Sequence, residues 1–246
     1  MFVNIMLSLL ALSSFMAQAK NFDDKVIIEA YGGSSTAGVV AVRKPDGRLT
    51  NVISRHNEIG FLRDALQKKY GENIDVINKG KPSAQAIELL YGTYKYKNNE
   101  RWADEMKKSR AKIIILNFAT NDARHYRFKD AKPSYVVSPV QYQEVMTRLV
   151  NIARENGKEV VLQEPHPLCG KAEGWNVSPF NARLDTLAKT LSVPLVRQYE
   201  RIQSMTDWQS MMSPDCIHPS EALYKIKAEE TYKVIDKDFA SLLAKR

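Results

Sequence analysis

The chain has 246 residues, of which 44% are hydrophobic and 26% charged, and its formal net charge is +8. No repeat, low-complexity tract or linker divides it, so a single core is expected over residues 20–246. The basic residues come in scattered pairs, which favours a solvated basic surface over a nucleic-acid site. A weak attraction to anionic envelope surfaces is compatible with this charge.

The first 19 residues differ from the rest of the chain. They contain no charged side chain, include a largely apolar run at 5–12 and end in Ala17-Gln18-Ala19. A short apolar core followed by a small-x-small site is typical of a secretory signal peptide. We therefore predict cleavage after Ala19 and a periplasmic or secreted protein. Because the segment lacks an amino-terminal Lys or Arg, a retained membrane anchor is the alternative.

Predicted strands and helices alternate along the remaining chain. The pattern requires a parallel sheet of about five strands with helices on both faces, because parallel strands need crossover connections. The clearest buried strand is 112–118, which is apolar without alternation. The first elements are, in order, a strand at 25–31, a hairpin at 39–54 around Pro45-Asp46-Gly47, a helix at 58–70, a strand at 74–77, a helix from Ser83 and a helical stretch at 98–108. The strand at 112–118 is followed by a polar loop at 123–137, a helix from the capping box at 138–141 and a strand at 159–163. The remaining elements are a loop at 164–176, a helix from Ser178, a strand at 193–196 and a terminal helix capped by Ser220.

Polar residues follow several of the predicted strands, so they meet at one edge of the sheet. Ser34 follows the first strand and is a candidate nucleophile, His218 a candidate base, and Asp215 a candidate partner that orients the histidine. Backbone N–H groups of Ser34 and Gly80 and the amide of Asn121 are candidate oxyanion donors. Each stretch alone is more typical of turns and helix caps. Their joint order along the chain favours acyl transfer.

These stretches resemble the sequence blocks of the SGNH hydrolases, also called the GDSL esterase/lipase family. The resemblance implies a three-layer α/β/α flavodoxin-like fold. It also implies a Ser-His-Asp triad, and it covers about residues 25–235. The matching blocks are Gly32-Gly33-Ser34-Ser35-Thr36-Ala37-Gly38 with Gly33 in place of Asp, Asn78-Lys79-Gly80 with Ser83 in place of a later glycine, Ala119-Thr120-Asn121-Asp122 with Ala119 in place of Gly, and the complete Asp215-Cys216-Ile217-His218-Pro219.

Other residues near the same edge have two interpretations. Side chains that either contact substrate or pack within loops are Arg124, His125, His166 and Trp175. Cys169 and Cys216 lie in loops at this edge, and in an exported protein they are either bridged or two buried thiols. Neither cysteine has metal-ligand spacing, so no metal is predicted, and no organic cofactor is implied.

The sequence thus predicts an exported serine esterase that acts through an acyl-enzyme. Its substrate is expected to be a small-molecule, glycan or lipid ester, with short acyl groups on glycans favoured. A lipase, lysophospholipase or thioesterase acting on longer acyl chains is the alternative. Acyl transfer to another hydroxyl and an inactive binding domain of the same fold also stay open. The oligomeric state is not predicted.

Overall fold

A computed structural model describes residues 25–96 and 100–244, so the predicted signal peptide lies outside the described residues. Five parallel strands form the central sheet in the order β4-β1-β5-β6-β7, and strands β2 and β3 form a separate antiparallel hairpin. The predicted α/β fold with about five parallel strands is confirmed. The strands are β1 Val26–Gly32, β2 Val39–Arg43, β3 Leu49–Ile53, β4 Ile74–Asn78, β5 Ile113–Asn117, β6 Glu159–Gln163 and β7 Leu195–Val196.

Helices cover both faces of this sheet. One face packs Ile114 and Leu116 against α3, α4, α6 and α7, and the other packs Ile113 and Ile115 against α2 and α9. Both sets of β5 side chains are buried, which explains the apolar run from Ile113 to Leu116. The helices are α1 Ser34–Ala37, α2 Glu58–Tyr70, α3 Ala86–Tyr91, α4 Trp102–Lys108, α5 Thr120–Phe128, α6 Pro139–Glu155, α7 Ser178–Leu191, α8 Tyr199–Gln203 and α9 Glu221–Leu243.

Short polar signals in the sequence set the beginnings of several helices. Asn57 Oδ1 accepts hydrogen bonds from the N–H groups of Ile59 and Gly60 at the start of α2. At α6 the predicted capping box is present, with Ser138 Oγ accepting from Gln141 N–H and Gln141 Oε1 accepting from Ser138 N–H. These local bonds satisfy donors that a helix leaves free in its first turn.

The predicted polar loop at 123–137 is wrong over its first part, where α5 continues to Phe128. Asp122 Oδ2 accepts the N–H of Ala119, which caps this helix from within its own first turn. The predicted helix from Ser83 begins three residues later, at Ala86, and Ser83 itself has a positive φ of 65°. The polar composition of residues 123–128 made this part of α5 resemble a loop in the sequence. The left-handed backbone conformation of Ser83 places the start of α3 later than predicted.

Within the part of the chain that the structure describes, no helix is both long and apolar enough to cross a bilayer.

Candidate active site

Ser34 lies where β1 turns sharply into the short helix α1. A Cβ on Gly32 would lie 2.3 Å from the carbonyl oxygen of Asn117 on the neighbouring strand, so only glycine permits this close crossing. The turn begins α1 at Ser34 and presents its hydroxyl at the carboxyl edge of the sheet. In an open α/β sheet, ligands bind at this edge, next to the switch in strand order.

His218 and Asp215 meet Ser34 from a loop that precedes α9. His218 Nε2 is 2.9 Å from Ser34 Oγ, and His218 Nδ1 is 2.6 Å from Asp215 Oδ2. The other carboxylate oxygen of Asp215 accepts the backbone N–H groups of Ile217 and His218, both at 3.0 Å. The structure therefore brings the three predicted residues into one hydrogen-bonded chain.

The charge state of Asp215 suits a partner for an imidazole. Burial by itself would raise its pKa, but hydrogen bonds from the His218 side chain and from two backbone N–H groups hold the pKa below its usual value. Asp215 is therefore ionised at neutral pH. Since a carboxylate accepts only, it fixes the His218 tautomer with the proton on Nδ1, which leaves the Nε2 lone pair facing the serine hydroxyl.

Two of the three predicted oxyanion donors face the same cleft. Ser34 begins α1, and Asn121 lies in the first turn of α5, where its Nδ2 donates to the carbonyl oxygen of Ala84 at 2.9 Å. Both residues line a cleft of about 610 Å³ together with His218. The second proton on Asn121 Nδ2 remains for an anion in that cleft.

The backbone N–H of Gly80, the third predicted donor, already makes a hydrogen bond within the protein. Its N–H donates to Asn78 Oδ1 at 2.9 Å, and a Cβ on it would lie 2.4 Å from the backbone nitrogen of Ala37. Its glycine identity therefore serves close packing against α1. Ser83 lines the cleft instead, and its N–H makes no hydrogen bond to any residue that the structure describes. The signal that could have found Ser83 is its place at the later glycine of the family block.

Arg124, His125 and Trp175 line the same cleft as the candidate nucleophile. Asp130 holds the first two, with its carboxylate 2.7 Å from Arg124 Nη2 and 2.5 Å from His125 Nδ1. The guanidinium carbon of Arg124 also lies 5.8 Å from the ring centroid of Trp175. These three residues form a wall of the cleft that is held in place by a carboxylate and an aromatic ring.

His166 does not line the cleft, so of its two interpretations the structure supports packing within the loops and not contact with substrate. It is fully buried, and its Nε2–H donates to the carbonyl oxygen of Ile217 at 2.8 Å. Burial, together with the nearby charge of Lys227, lowers the pKa of His166 to about 3, so the ring is neutral. His166 braces the loop that carries His218 from behind.

A disulfide holds the same loop to the segment after β6. The structure joins Cys169 to Cys216, and the N–H of Cys169 donates to the carbonyl oxygen of Cys216 at 3.1 Å. Cys216 directly follows Asp215 and has a φ of +58°. The bridge therefore fixes an unusual backbone conformation beside the candidate triad.

Asp122 is a fully buried carboxyl that ties two site loops together. Its Oδ1 accepts the N–H of Ala86 at 3.2 Å, and its Oδ2 accepts the N–H of Ala119 at 3.1 Å. Burial raises its pKa to about 7 despite these hydrogen bonds. The sequence analysis places Asp122 in a family block without giving it a role, because nothing local indicates that one of its partners comes from the start of α3.

The described residues were also compared with the arrangement that a metal site requires. Across residues 25–96 and 100–244, no group of three or more His, Cys, Asp or Glu side chains is arranged to hold a metal ion.

Comparisons with known proteins relate this geometry to a family. The model of the GDSL-like Lipase/Acylhydrolase family matches residues 30–226. No curated protein matches the sequence significantly.

Solved structures share the fold at low sequence identity. A lipase/acylhydrolase from Enterococcus faecalis is 15% identical, with a TM-score of 0.66 over 86% of this chain and 96% of that one. A carbohydrate acetylesterase from Sinorhizobium meliloti is 16% identical, with a TM-score of 0.60 over 89% and 100%. A catalytic mutant of an acetylxylan esterase from Geobacillus stearothermophilus is 14% identical, with a TM-score of 0.60 over 86% and 93%.

Proposed function

Because the chain belongs to the GDSL-like lipase/acylhydrolase family of ester-hydrolysing enzymes, we propose that it is an exported serine esterase that works through an acyl-enzyme. The observation that carries the proposal is the hydrogen-bonded chain from Ser34 Oγ to His218 to Asp215. This arrangement supplies a nucleophile, a base and a group that orients the base.

The first half of the reaction forms the acyl-enzyme. Ser34 Oγ attacks the ester carbonyl carbon while His218 Nε2 takes the hydroxyl proton. The oxygen of the tetrahedral intermediate receives hydrogen bonds from the N–H groups of Ser34 and Ser83 and from Asn121 Nδ2. Asp215 stabilises the imidazolium. His218 then gives its proton to the leaving alkoxide, the C–O bond breaks, and an alcohol departs.

The second half repeats these steps with water. His218 takes a proton from water as its oxygen attacks the acyl carbon, and the same donors hold the oxyanion. Collapse of the intermediate returns the proton to Ser34 Oγ and releases a carboxylic acid. No step requires a metal or an organic cofactor.

For the substrate, we propose short acyl groups, such as O-acetyl, on glycans. Trp175 and Arg124 in the cleft offer an aromatic face and a fixed donor, which suit a sugar ring. The two acetylesterases with this fold act on acetylated carbohydrates by name, which supports the same class here.

Hydrolysis of longer acyl chains is the second candidate, and one observation favours it. The wall of the cleft formed by the β2–β3 hairpin is mainly apolar, with Val39, Val52 and Ile53 lining it beside Asn51, and Ile53 is 64% exposed. A series of p-nitrophenyl esters from acetyl to dodecanoyl separates the two. Preference for acetyl supports glycan deacetylation, and preference for long chains supports a lipase or thioesterase.

Export is a further part of the proposal, based on the predicted signal peptide at 1–19. The mass of the mature protein from a bacterial envelope fraction tests it. Cleavage after Ala19 is the expected result, and a full-length chain confined to the membrane fraction would favour the anchor instead.

The decisive experiment is treatment of the mature protein with a fluorophosphonate, followed by intact mass and adduct mapping. One stoichiometric adduct is expected on Ser34, absent in Ser34→Ala and strongly slowed in His218→Ala, whereas Ser204→Ala, an exposed serine, reacts normally. Asn121→Ala should lower kcat by about 10²–10³, as for loss of one oxyanion donor. A folded protein with no adduct on Ser34 would favour an inactive binding domain.

A further inference from the structure

The β2–β3 hairpin projects into solvent beside the catalytic cleft. Every residue from 42 to 53 is exposed except Thr50, which is partly buried. The base of the hairpin is held in the fold, because residues 39–41 are buried. Ile53, at the end of β3, lines the cleft that contains Ser34. A surface that binds this hairpin therefore also lies close to the active site.

Large apolar side chains are exposed on both faces of the hairpin. Val42 and Val52 share one face of the two-stranded ribbon, and Leu49 and Ile53 share the other, as the pairing register requires. All four are exposed. A flat protein surface covers only one face of such a ribbon, whereas the headgroup layer of a membrane surrounds an element that enters it. Apolar exposure on both faces therefore favours a lipid interface.

A second segment beside the cleft has the same character. It consists of the end of α5 and the residues that follow, 124–132, and it exposes the rings of Tyr126 and Phe128. The guanidinium carbon of Arg124, which lines the cleft, lies 5.8 Å from the ring centroid of Phe128. Aromatic rings are enriched where proteins meet membrane headgroups. We call this segment and residues 42–55 together the cleft rim.

The cleft rim is basic. With histidine neutral, four of the five charged residues in each of its two segments are Lys or Arg. The two acidic residues are already paired, Asp46 with Arg48 and Asp130 with Arg124, both at 2.7 Å. The basic side chains of the rim that form no ion pair with a described carboxylate are Arg43, Lys44, Arg55, Arg127, Lys129 and Lys132. The rim therefore attracts an anionic surface and repels a second copy of itself.

We propose that the cleft rim docks the mature protein on an anionic lipid surface, with the catalytic cleft facing the headgroups. The apolar side chains enter the headgroup layer, and the Lys and Arg side chains reach the lipid phosphates with their charged ends in the polar region. This docking does not depend on which ester the enzyme hydrolyses. It brings Ser34 close to esters that lie in or beside the lipid surface.

The test is sedimentation of the mature chain, residues 20–246, with lipid vesicles. Leaving out the apolar run at 5–12 removes any binding that this run would cause. Vesicles of phosphatidylcholine with about one third phosphatidylglycerol should bind the protein saturably, and at least tenfold more tightly than phosphatidylcholine alone. Raising the salt concentration from about 0.05 M to about 0.5 M should weaken this binding, because salt screens the attraction.

The apolar contribution is measured with Val42→Ser/Leu49→Ser, since both side chains are exposed and neither lines the cleft. This double variant should bind the anionic vesicles at least fivefold more weakly than the wild type. Tyr91→Ser, an exposed change on α3 outside the rim, is the control and should bind as the wild type does. All three proteins should hydrolyse p-nitrophenyl acetate at the same rate, because this soluble ester needs no surface.

The charge contribution is measured with Lys44→Gln/Arg55→Gln, which should also weaken binding at least fivefold. Lys68→Gln/Lys237→Gln makes the same change in net charge at exposed positions on α2 and α9, outside the rim. This control should bind as the wild type does. Hydrolysis of p-nitrophenyl acetate should again be unchanged in both variants.

Several results would overturn the proposal. They are absence of saturable binding to the anionic vesicles, and wild-type binding by Val42→Ser/Leu49→Ser. Complete competition by dextran sulfate, with no effect of the apolar change, would indicate an anionic polymer as the partner. Dimers in place of vesicle binding would indicate a second copy. An active esterase without vesicle binding counts against docking alone, whereas vesicle binding without hydrolysis of p-nitrophenyl acetate counts against the esterase function alone.

Discussion

Gly33 and Asn121 are in close contact across the candidate active site: a Cβ on residue 33 would lie 2.8 Å from Asn121 Nδ2. Gly33 has a φ of −85°, so its backbone does not itself require glycine. A Cβ at this position would require the Asn121 amide, the end of a flexible side chain, to move. The family residue at this position is Asp, so this chain lacks a side chain next to that amide.

Replacing Gly33 with the family residue, Asp, should therefore lower the catalytic rate of this protein. Gly33→Asp and Gly33→Ala are expected to displace Asn121 and lower kcat by about 10²-fold, the cost of one misplaced oxyanion donor. Gly174→Ala is the matched control, because a Cβ there meets nothing within 4 Å. Steady-state kinetics on p-nitrophenyl acetate measure the effect. Unchanged or faster turnover in Gly33→Asp would contradict this role for Gly33.

The disulfide between Cys169 and Cys216 should stabilise both the fold and the catalytic loop. It closes a loop with a sequence separation of 47, for which chain-entropy arguments give about 4 kcal/mol. The double variant Cys169→Ala/Cys216→Ala should lower Tm by about 10 °C and also lower kcat, because Cys216 adjoins Asp215. Dithiothreitol should reproduce both effects in the wild type and have none in the double variant. If Tm falls while kcat stays unchanged, the bridge does not position the triad.

His166 should position the catalytic loop through its hydrogen bond to Ile217. His166→Leu removes the donor and is expected to lower kcat about tenfold with little change in KM, because the cleft itself is untouched. His166→Gln retains an N–H donor and should recover most of the activity. Equal losses in both variants, or a change confined to KM, would contradict a positioning role.

The same histidine should make the protein sensitive to acid. The unfolded chain protonates His166 below its ordinary pKa of about 6.5, whereas the folded protein holds it neutral down to about pH 3. Protons thus favour the unfolded state, and the free energy of unfolding falls as pH drops from about 6.5 to about 3, by at most about 1.4 kcal/mol per pH unit.

Urea unfolding at pH 7 and pH 4.5 measures this effect. The wild type should lose more stability between the two pH values than His166→Gln. Asp122, whose raised pKa acts in the opposite direction, is common to both proteins and cancels in the comparison. The same loss in both proteins would mean that His166 titrates normally in the folded state.

Ala119 should be a site of stored backbone strain. Its φ of +99° and ψ of −38° are costly for any residue with a Cβ, and the family has glycine here. Ala119→Gly is expected to raise the free energy of unfolding by about 1 kcal/mol, with the entropy of the more flexible unfolded chain opposing part of the gain. Ala123→Gly, inside α5, is the control and should destabilise. An Ala119→Gly variant that is less stable than the wild type would contradict stored backbone strain at Ala119.

The sequence by itself determined the architecture and the edge at which the chemistry lies. Alternating strand and helix patterns require a parallel sheet covered on both faces, and β5 is apolar from Ile113 to Leu116 because both its faces are buried. Parallel strands end at a common edge, so Ser34 and Asn121 were predictable neighbours although they are far apart in the chain. Asp215 and His218 were predictable partners because one tight loop carries both.

Only the tertiary structure decided which neighbouring residues reach the cleft. His166 lies three residues after the carboxyl end of β6, yet the loop of Ile217 packs over it and buries it. Gly80 and Ser83 are three residues apart, yet Asn78 takes the N–H of the first while the second lines the cleft. Burial and hydrogen-bond partners depend on how loops from distant parts of the chain pack together, and local sequence patterns do not contain that information.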